Sequence, residues 1–291
     1  MRLKTAAGIA ALAGILLVGC TDQGWGRLPD PDATSTTGGQ APAAPGECSP
    51  ATMPTLTDGV LTVGTSVPYE PWYVGDDPST GDGFESALIY AVAAELGFEQ
   101  VEWETVTFEQ IVSPSIKPFD IAAYQTSITP ERAQAVDFSS PYLTSRQGVI
   151  VPGDSDLAQA ASLADFTGVR VGVTASQTSL TIAQNAWGQS VELVPYDDAG
   201  LAMEALTATQ VAAVVMDVDQ AVSVTEVYYP GTAVVGTLPS GGVAEQLGLV
   251  LDLESELTEC VSAAVDSLEA DGRLAQLRTQ WLRSDDIPEL A

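Results

Sequence analysis

The sequence predicts an α/β protein built from two similar lobes, and two observations support this prediction. From about residue 57 onward, short apolar strands alternate with helix-like segments, a pattern typical of mainly parallel sheets. The same strand and helix order begins again after Pro152, so a second α/β lobe is expected. A length of 291 residues with 45% hydrophobic content provides enough apolar surface for cores of this kind.

The N-terminus carries a secretory signal. An apolar run, AAGIAALAGILLV, follows Arg2 and Lys4 and is too short for a stable membrane-spanning helix. It ends in LVGC, which resembles the lipobox of bacterial lipoproteins, in which cleavage before the cysteine leaves that cysteine to carry lipid. The resemblance implies a signal peptide at 1–19 and lipidation of Cys20. A plain signal peptide with an incidental cysteine is the alternative.

Residues 20–56 are rich in Gly, Pro, Ala and Thr and show no apolar periodicity, which is typical of a flexible tether. Together with a lipidated Cys20, such a tether would hold the protein on the outer face of the cell membrane. No later segment approaches the roughly 20 apolar residues that a spanning helix needs.

Charge, histidine and cysteine content exclude several classes of function. Without Arg2 and Lys4, eight basic residues face 39 acidic ones, a net charge of about −31 that repels nucleic acid and anionic lipid. Because histidine is absent, Ser/His/Asp triads and most zinc sites are excluded, and we expect no metal and no cofactor. Cys48 and Cys260 remain as an even pair in a compartment that permits disulfides, so we expect them to be bridged.

The first lobe begins with a buried strand at 60–66, VLTVGTS. A helix follows in which Leu88, Val92 and Leu96 share one face, and Gly97 ends it. The segments VEWETV and 119–127 (FDIAAYQTS) are predicted strands, and a further helix is predicted directly after them.

The second lobe repeats this order, and the C-terminal part then adds one strand and two helices. The predicted elements of the second lobe are helix-like SLADF, strand 169–174, helix SLTIAQNAWG, strand VELVPY, helix DAGLAMEALTAT and strand 211–217. The C-terminal strand spans 247–251, and apolar stripes mark the helices after it: Leu257, Val261 and Leu268 in one, Leu274, Leu277 and Trp281 in the other.

Arg132 is the residue in ITPERAQAVDFSSPY (128–142) that helix chemistry does not explain. Thr129 suits the N-cap, Pro130 the first helical position and Glu131 the positive end of the helix dipole. A cation there is unfavourable unless an anion binds beside it. Free N–H groups, the Ser127 hydroxyl and the guanidinium would together hold a carboxylate. A solvated arginine is the alternative.

Six segments of the sequence occur in the order and at the spacings of one known protein family. They are LTVGTSVPYEPWYV, GFESALIYAVAAELG, FDIAAYQTSITPERAQAVDFSSPY, VRVGVTASQTS, VAAVVMD and ADGRLAQLRTQWL. In these, the chain resembles the extracytoplasmic solute-binding proteins of polar amino acid ABC transporters, family 3, of the glutamine/histidine/lysine-arginine-ornithine type. The resemblance covers about 57–282, and TPERAQAVDFSSPY is its most specific part.

This resemblance implies a two-lobed, periplasmic-binding-protein-like fold of type II, a Venus flytrap. The first lobe would comprise 57–143 and 247–291, and the second lobe 146–243. Two crossover strands, near 142–147 and 241–246, would form the hinge. We expect a monomer.

The resemblance also implies the residues of an amino acid site. In the family, an arginine, a hydroxyl and a second-lobe turn hold the α-carboxylate, an aspartate and a backbone carbonyl hold the α-ammonium, and two aromatic rings enclose the side chain. The matching residues here are Arg132, Ser127, Ser176, Gln177 and Thr178 for the carboxylate, Asp217 and about Gln125 for the ammonium, and Tyr69 and Phe108 for the side chain.

The alternatives for these residues are structural. Asp217 follows an apolar strand, where open α/β sheets bind ligands, but a strand-ending turn aspartate would look the same. Tyr69 and Phe108 could be core aromatics. Asp219 is expected to be exposed, and Trp72 and Phe84 are expected to be structural. These last three residues are left out of the predicted site.

Three positions depart from the family pattern. Ser66 stands where several relatives have aspartate, Thr174 where some have lysine, and Ser176 where the turn commonly has glycine. Ser66 and Thr174 are also predicted to bind the ligand, which makes ten predicted residues when Ser176 is left out. Besides Arg132, no pocket cation for a second ligand carboxylate is apparent. The ligand is therefore expected to be a neutral polar or weakly charged amino acid.

The function implied is capture of an L-amino acid outside the cell and its delivery to the membrane permease of an ABC importer, without catalysis. The same fold, by resemblance, includes periplasmic dehydratases that act on prephenate or arogenate, and this is the alternative. A ligand-sensing module is a third possibility, which the lack of a transmembrane segment after the fold disfavours.

Overall fold

Two five-stranded sheets organise the part of the chain that the computed structural model describes, residues 48–66, 69–239 and 245–291. The predicted signal peptide 1–19, the lipidation site Cys20 and tether residues 20–47 lie outside the described residues. So do residues 241–244 of the predicted hinge. Among the described helices, none combines the length and the apolar character needed to cross a membrane.

The elements alternate along the chain as predicted, with additional strands. The strands are β1 (Val60–Thr65), β2 (Gln100–Thr105), β3 (Ile121–Ala122), β4 (Val136–Phe138), β5 (Leu143–Ser145), β6 (Gln147–Pro152), β7 (Arg170–Thr174), β8 (Glu192–Tyr196), β9 (Ala213–Asp217), β10 (Thr232–Thr237), β11 (Glu245–Leu247) and β12 (Val250–Asp252). The α-helices are α1 (Phe84–Leu96), α2 (Phe108–Val112), α3 (Thr178–Trp187), α4 (Ala199–Thr207), α5 (Val218–Ser223), α6 (Thr258–Ala270) and α7 (Arg273–Trp281).

The first lobe has the strand order β2-β1-β3-β12-β4. Strand β1 runs parallel to β2 and β3, whereas β12 is antiparallel to both β3 and β4. Helices α1, α6 and α7 pack against one another and form a core over the sheet. Gly97 ends α1 with φ of +81°, and its N–H caps the last carbonyls, as predicted. Trp72 and Phe84 are fully buried in this core, in agreement with their predicted structural role.

The second lobe has the order β10-β6-β9-β7-β8, and it repeats the plan of the first. Strand β7 lies between two parallel neighbours, β8 and β9, and β6 is antiparallel to β9 and β10. Alternate residues of β9 enter two different cores, Val215 on the α3 side and Val214 on the α4 side. A strand covered on both faces must be apolar throughout, which explains the continuous run in VAAVVMD.

The two lobes are joined where β5 pairs with β11 in an antiparallel ladder. Ser127 pairs with Leu247 in an isolated bridge beside this ladder. Ile128 also donates its N–H to the carbonyl of Gln246 at 2.8 Å. These pairings bring the segment that follows β3 to the junction, and with it Ser127 and Arg132.

The C-terminal tail corrects the predicted extent of the first lobe, which we expected to run to residue 291. Leu290 is 3% exposed and packs in the second-lobe core, and its N–H donates to the carbonyl of Thr237 at 2.9 Å. Arg146 ties the same tail to the junction by donating to the carbonyls of Ser284 and Ile287 at 2.7 and 2.9 Å. The tail lies on the second lobe because Leu290 is buried in its core and because edge strand β10 offers unpaired backbone groups to the tail.

Three further predictions differ from the structure. The sheets are mixed rather than mainly parallel, because the returning strands β6 and β12 enter them antiparallel. The strand expected at 119–127 is limited to β3. The helix expected after it is one 3₁₀ turn, Arg132–Gln134, whereas helix-like SLADF is confirmed as a second 3₁₀ turn, Leu163–Phe166. In the first of these turns the Thr129 hydroxyl still accepts from the N–H of Arg132, at 3.2 Å. Strand β4 follows so closely that the helix has no room to continue.

The predicted disulfide is present. Cys48 and Cys260 are bonded, with Cα atoms 5.4 Å apart and a sequence separation of 212 residues. The bond fastens the start of the described chain to α6 of the first lobe.

Candidate functional site

A cleft of about 830 Å³ lies between the two lobes, at the carboxyl ends of strands β1, β7 and β9. Eight of the ten residues predicted to bind ligand line it: Ser66, Tyr69, Phe108, Gln125, Thr174, Gln177, Thr178 and Asp217. Ser176, in the predicted turn, lines it as well. Arg132 and Ser127 are not among the lining residues and lie beside the cleft.

An aromatic wall forms the first-lobe side of the cleft. Tyr124 contacts both predicted rings, with centroid distances of 6.0 Å to Tyr69 and 6.2 Å to Phe108. Phe108 is placed by the start of α2, where Thr107 and Gln110 form a capping box. Tyr124 was not predicted, although it directly precedes Gln125 in the sequence.

Gln125 connects this wall to a buried carboxyl group. Its side-chain oxygen accepts from the Tyr69 hydroxyl at 2.5 Å, while its backbone N–H donates to Glu85 at 2.8 Å and its amide nitrogen donates to the same carboxyl. The φ of Gln125 is +40°, which is unusual for a residue other than glycine. Glu85 is fully buried, and burial raises its pKa to about 7 although Tyr142 and Gln125 donate to it. Tyr69 is thus held in place by a buried network.

Asp217 ends β9 and is half-buried in the cleft. It accepts hydrogen bonds from the Gln147 amide at 2.7 Å and from the Ser145 hydroxyl at 3.2 Å. Gln147 is its cross-strand partner in the β6–β9 ladder. Burial, followed by the charge of Glu245, raises the pKa of Asp217 to about 8. A ligand ammonium beside it would favour its ionised form.

Arg132 lies at the edge of the cleft and spans both lobes. It donates to the carbonyl of Ser127 at 2.9 Å and to that of Ser176 at 3.4 Å, and its guanidinium carbon lies 5.0 Å from the centroid of the Phe108 ring. Burial lowers its pKa, and nearby carboxylates partly offset this effect. Within the described residues it forms no ion pair. Donors of the guanidinium therefore remain available for an anion.

The second-lobe turn adopts the conformation that glycine would make easy. Ser176 has φ of +55°, in the left-handed region, at a cost of about 1–2 kcal/mol for a side-chain-bearing residue. The turn leads into α3, which begins at Thr178. The Thr178 hydroxyl lies 3.4 Å from that of Ser127 in the other lobe. A hydroxyl group that lines the cleft, that of Thr178, thus lies close to the first-lobe hydroxyl of Ser127 beside it.

Other lining residues make the cleft acidic. Glu109, Asp197 and Asp198 line it, and neither lysine nor arginine appears among the lining residues within the described ranges. No group of three potential metal ligands is found in the same part of the chain. Asp219, expected to be exposed, is only 4% exposed, which corrects that expectation: α5 packs this residue beneath the C-terminal tail, beside Ser284.

Comparison with known proteins identifies the family. The profile of the bacterial extracellular solute-binding proteins, family 3, matches residues 61–284. The chain belongs to this family. Solved structures similar to the chain are type II periplasmic amino acid-binding proteins, and the mixed sheets with their helices fit this two-lobed fold, so the predicted fold class is confirmed.

Individual relatives agree with this assignment. The chain is 28% identical over 232 residues to the L-cystine-binding protein TcyJ of Escherichia coli K12, covering 78% of this chain and 84% of that protein. An ancestral arginine-binding protein bound to arginine is 30% identical, with a TM-score of 0.63, and the match covers 77% and 98% of the two chains. An ancestral amino acid-binding protein that is a precursor of cyclohexadienyl dehydratase is 28% identical, also with a TM-score of 0.63, over 77% and 96%.

Proposed function

We propose that this protein binds an L-amino acid in the cleft between its lobes, outside the cell, and delivers it to the permease of an ABC importer. One observation carries the proposal: groups suited to an α-carboxylate and to an α-ammonium lie around one cleft that also has an aromatic wall. Arg132, Ser127 and Thr178 serve the carboxylate, Asp217 the ammonium, and Tyr69 with Phe108 the side chain.

The placement of these groups would couple binding to closure of the lobes. Ser127 and Arg132 belong to the first-lobe side, whereas Thr178 and Asp217 belong to the second lobe. A ligand that bonds to both sides stabilises the closed arrangement over the open one, which is the differential interaction that a population shift requires. A few charge-assisted hydrogen bonds of about 1.5–3 kcal/mol each suffice for micromolar affinity, which needs about −8 kcal/mol.

The acidic lining narrows the ligand class. Glu109, Asp197 and Asp198 would repel an acidic side chain, and the aromatic wall suits aliphatic or cationic chains. We therefore propose a neutral or cationic amino acid, which extends the expectation of a neutral or weakly charged one. The relatives named above for L-cystine and arginine are consistent with this range.

A thermal-shift screen of the twenty amino acids and L-cystine tests the proposal. The form without residues 1–20 suits it, since the described residues from 48 onward belong to one compact unit. A ligand that binds only the folded state raises the unfolding temperature, so one or a few amino acids should do so. If none does, the proposed function is wrong. The dehydratase alternative is tested in parallel, because turnover of prephenate or arogenate would make the protein an enzyme.

A further inference from the structure

Glu245 was not predicted to take part in the site and is not among the residues that line the cleft, yet its carboxylate lies beside the cleft and bonds to hydroxyl groups of both lobes. The residue begins β11, is 9% exposed, and reaches this position because β11 pairs beside Ser127. One oxygen, Oε1, accepts hydrogen bonds from the Ser127 hydroxyl at 2.9 Å and from the Thr178 hydroxyl. The other, Oε2, accepts from the Gln147 amide at 2.8 Å.

These bonds use the donors that a ligand carboxylate would need. A serine or threonine hydroxyl has one hydrogen to donate, so Ser127 and Thr178 cannot donate to Glu245 and to a ligand at the same time. Both hydroxyls are assigned to the ligand carboxylate in the proposed function. In the structure they instead hold a carboxylate of the protein itself.

Glu245 also affects the ammonium side of the site. The Gln147 amide donates to both Glu245 and Asp217, which places two carboxylates around one amide group. Arg132 does not form an ion pair with either of them within the described residues. The negative charge of Glu245 therefore opposes both ionisation of Asp217 and entry of a ligand carboxylate.

We propose that Glu245 is an internal competitor for the ligand's α-carboxylate and thereby sets the affinity of the receptor. This inference rests on the proposed function, because it uses the same anchor. Ligand capture then requires the Ser127 and Thr178 hydroxyls to exchange the Glu245 carboxylate for that of the amino acid. The fold supplies a carboxylate that keeps the anchor hydrogen-bonded and weakens binding.

The test is Glu245→Gln in the full chain, titrated by calorimetry with L-arginine, L-cystine and the other common amino acids. The neutral amide is a weaker acceptor, so the two hydroxyls are released more readily. We expect affinity to rise about 10- to 100-fold, the equivalent of losing one charge-assisted bond in the competing state. Glu131→Gln is the matched control, because it removes the same charge from an exposed residue next to Arg132. Its affinity should stay within about twofold of wild type.

A pH profile separates competition from a merely structural role. The charged or titratable groups that act on Asp217 are Glu245, Asp219, Arg132, Tyr69 and Tyr142. In the wild type, affinity should rise as the pH passes through about 8, where Asp217 ionises. In Glu245→Gln this rise should occur at lower pH, because the nearest opposing charge is gone. A role in stability alone would leave the position of the rise unchanged.

Each outcome decides the question. Equal or weaker affinity in Glu245→Gln, while the wild type binds an amino acid, overturns the inference and leaves the proposed function intact. Binding by neither protein overturns both. Binding only by the variant supports both. If Glu245→Gln does not fold, carboxyl-carbon NMR of the wild type replaces it: saturating ligand should shift the Glu245 signal, and an unchanged signal overturns the inference.

Discussion

Replacing Arg132 by alanine tests the carboxylate anchor most directly. Of the five guanidinium donors, the structure assigns one to the Ser127 carbonyl and one to the Ser176 carbonyl, which leaves donors for a ligand. Loss of a bidentate, charge-assisted contact in a closed cleft costs about 2–5 kcal/mol, or roughly 30-fold to several-thousand-fold in affinity. The two carbonyls released can be hydrated, so the free energy of unfolding should change by only about 0–1 kcal/mol.

Calorimetric titration with the amino acid found in the screen measures the first effect, and urea denaturation without ligand measures the second. Arg278→Ala is the matched control: this arginine lies on α7, pairs with Glu269 and is absent from the cleft lining. It should bind like wild type. Wild-type affinity in Arg132→Ala would refute the reasoning, since the arginine would then be a solvated residue of a tight turn.

Three further predictions concern stability and location. Because burial raises the pKa of Glu85 from 4.5 to about 7, its contribution to stability is complete below about pH 4.5 and falls by about 3 kcal/mol as pH rises through 7. Denaturation across this range should show a fall that is about 3 kcal/mol smaller in Glu85→Gln than in wild type, since the raised pKa of Asp217 contributes to the fall in both proteins, and identical profiles would contradict this. Cys260→Ser should lower stability by several kcal/mol, at most about 5, because the bond to Cys48 closes a loop of 212 residues; free thiols found by mass spectrometry in the secreted protein would contradict this. Cys20→Ser should release the protein from the membrane fraction or leave it unprocessed, and normal retention would count against lipidation.

Much of the fold could be predicted from local patterns. Apolar runs such as VLTVGTS and VAAVVMD specify strands, and Gly97 specifies where α1 ends, because these signals depend on neighbours in sequence. The even pair of cysteines in a secreted chain likewise predicted the disulfide. These features require no knowledge of which distant segments meet.

The errors have one physical origin, which is pairing between segments far apart in sequence. The expected helix after residue 128 contains good capping residues, yet the chain pairs with β11 before it and forms β4 after it, leaving one 3₁₀ turn. Strands β6 and β12 enter the sheets antiparallel because the chain crosses between lobes. The tail at Leu290 packs on the second lobe because β10 has an open edge there.

The site residues also fall into two groups, those predictable from the sequence and one that was not. From the sequence we predicted the family pattern and, through the family resemblance, the site residues Arg132, Asp217, Tyr69 and Phe108, of which the first three lie in segments of that pattern. The contact of Glu245 with the hydroxyl of Ser127, 118 residues away in the sequence, was visible only once the fold was known. No local sequence pattern predicts this contact, because it forms where β11 pairs with β5 and with the segment at Ser127. A hydrogen bond between residues so far apart in the sequence is specified by the fold as a whole.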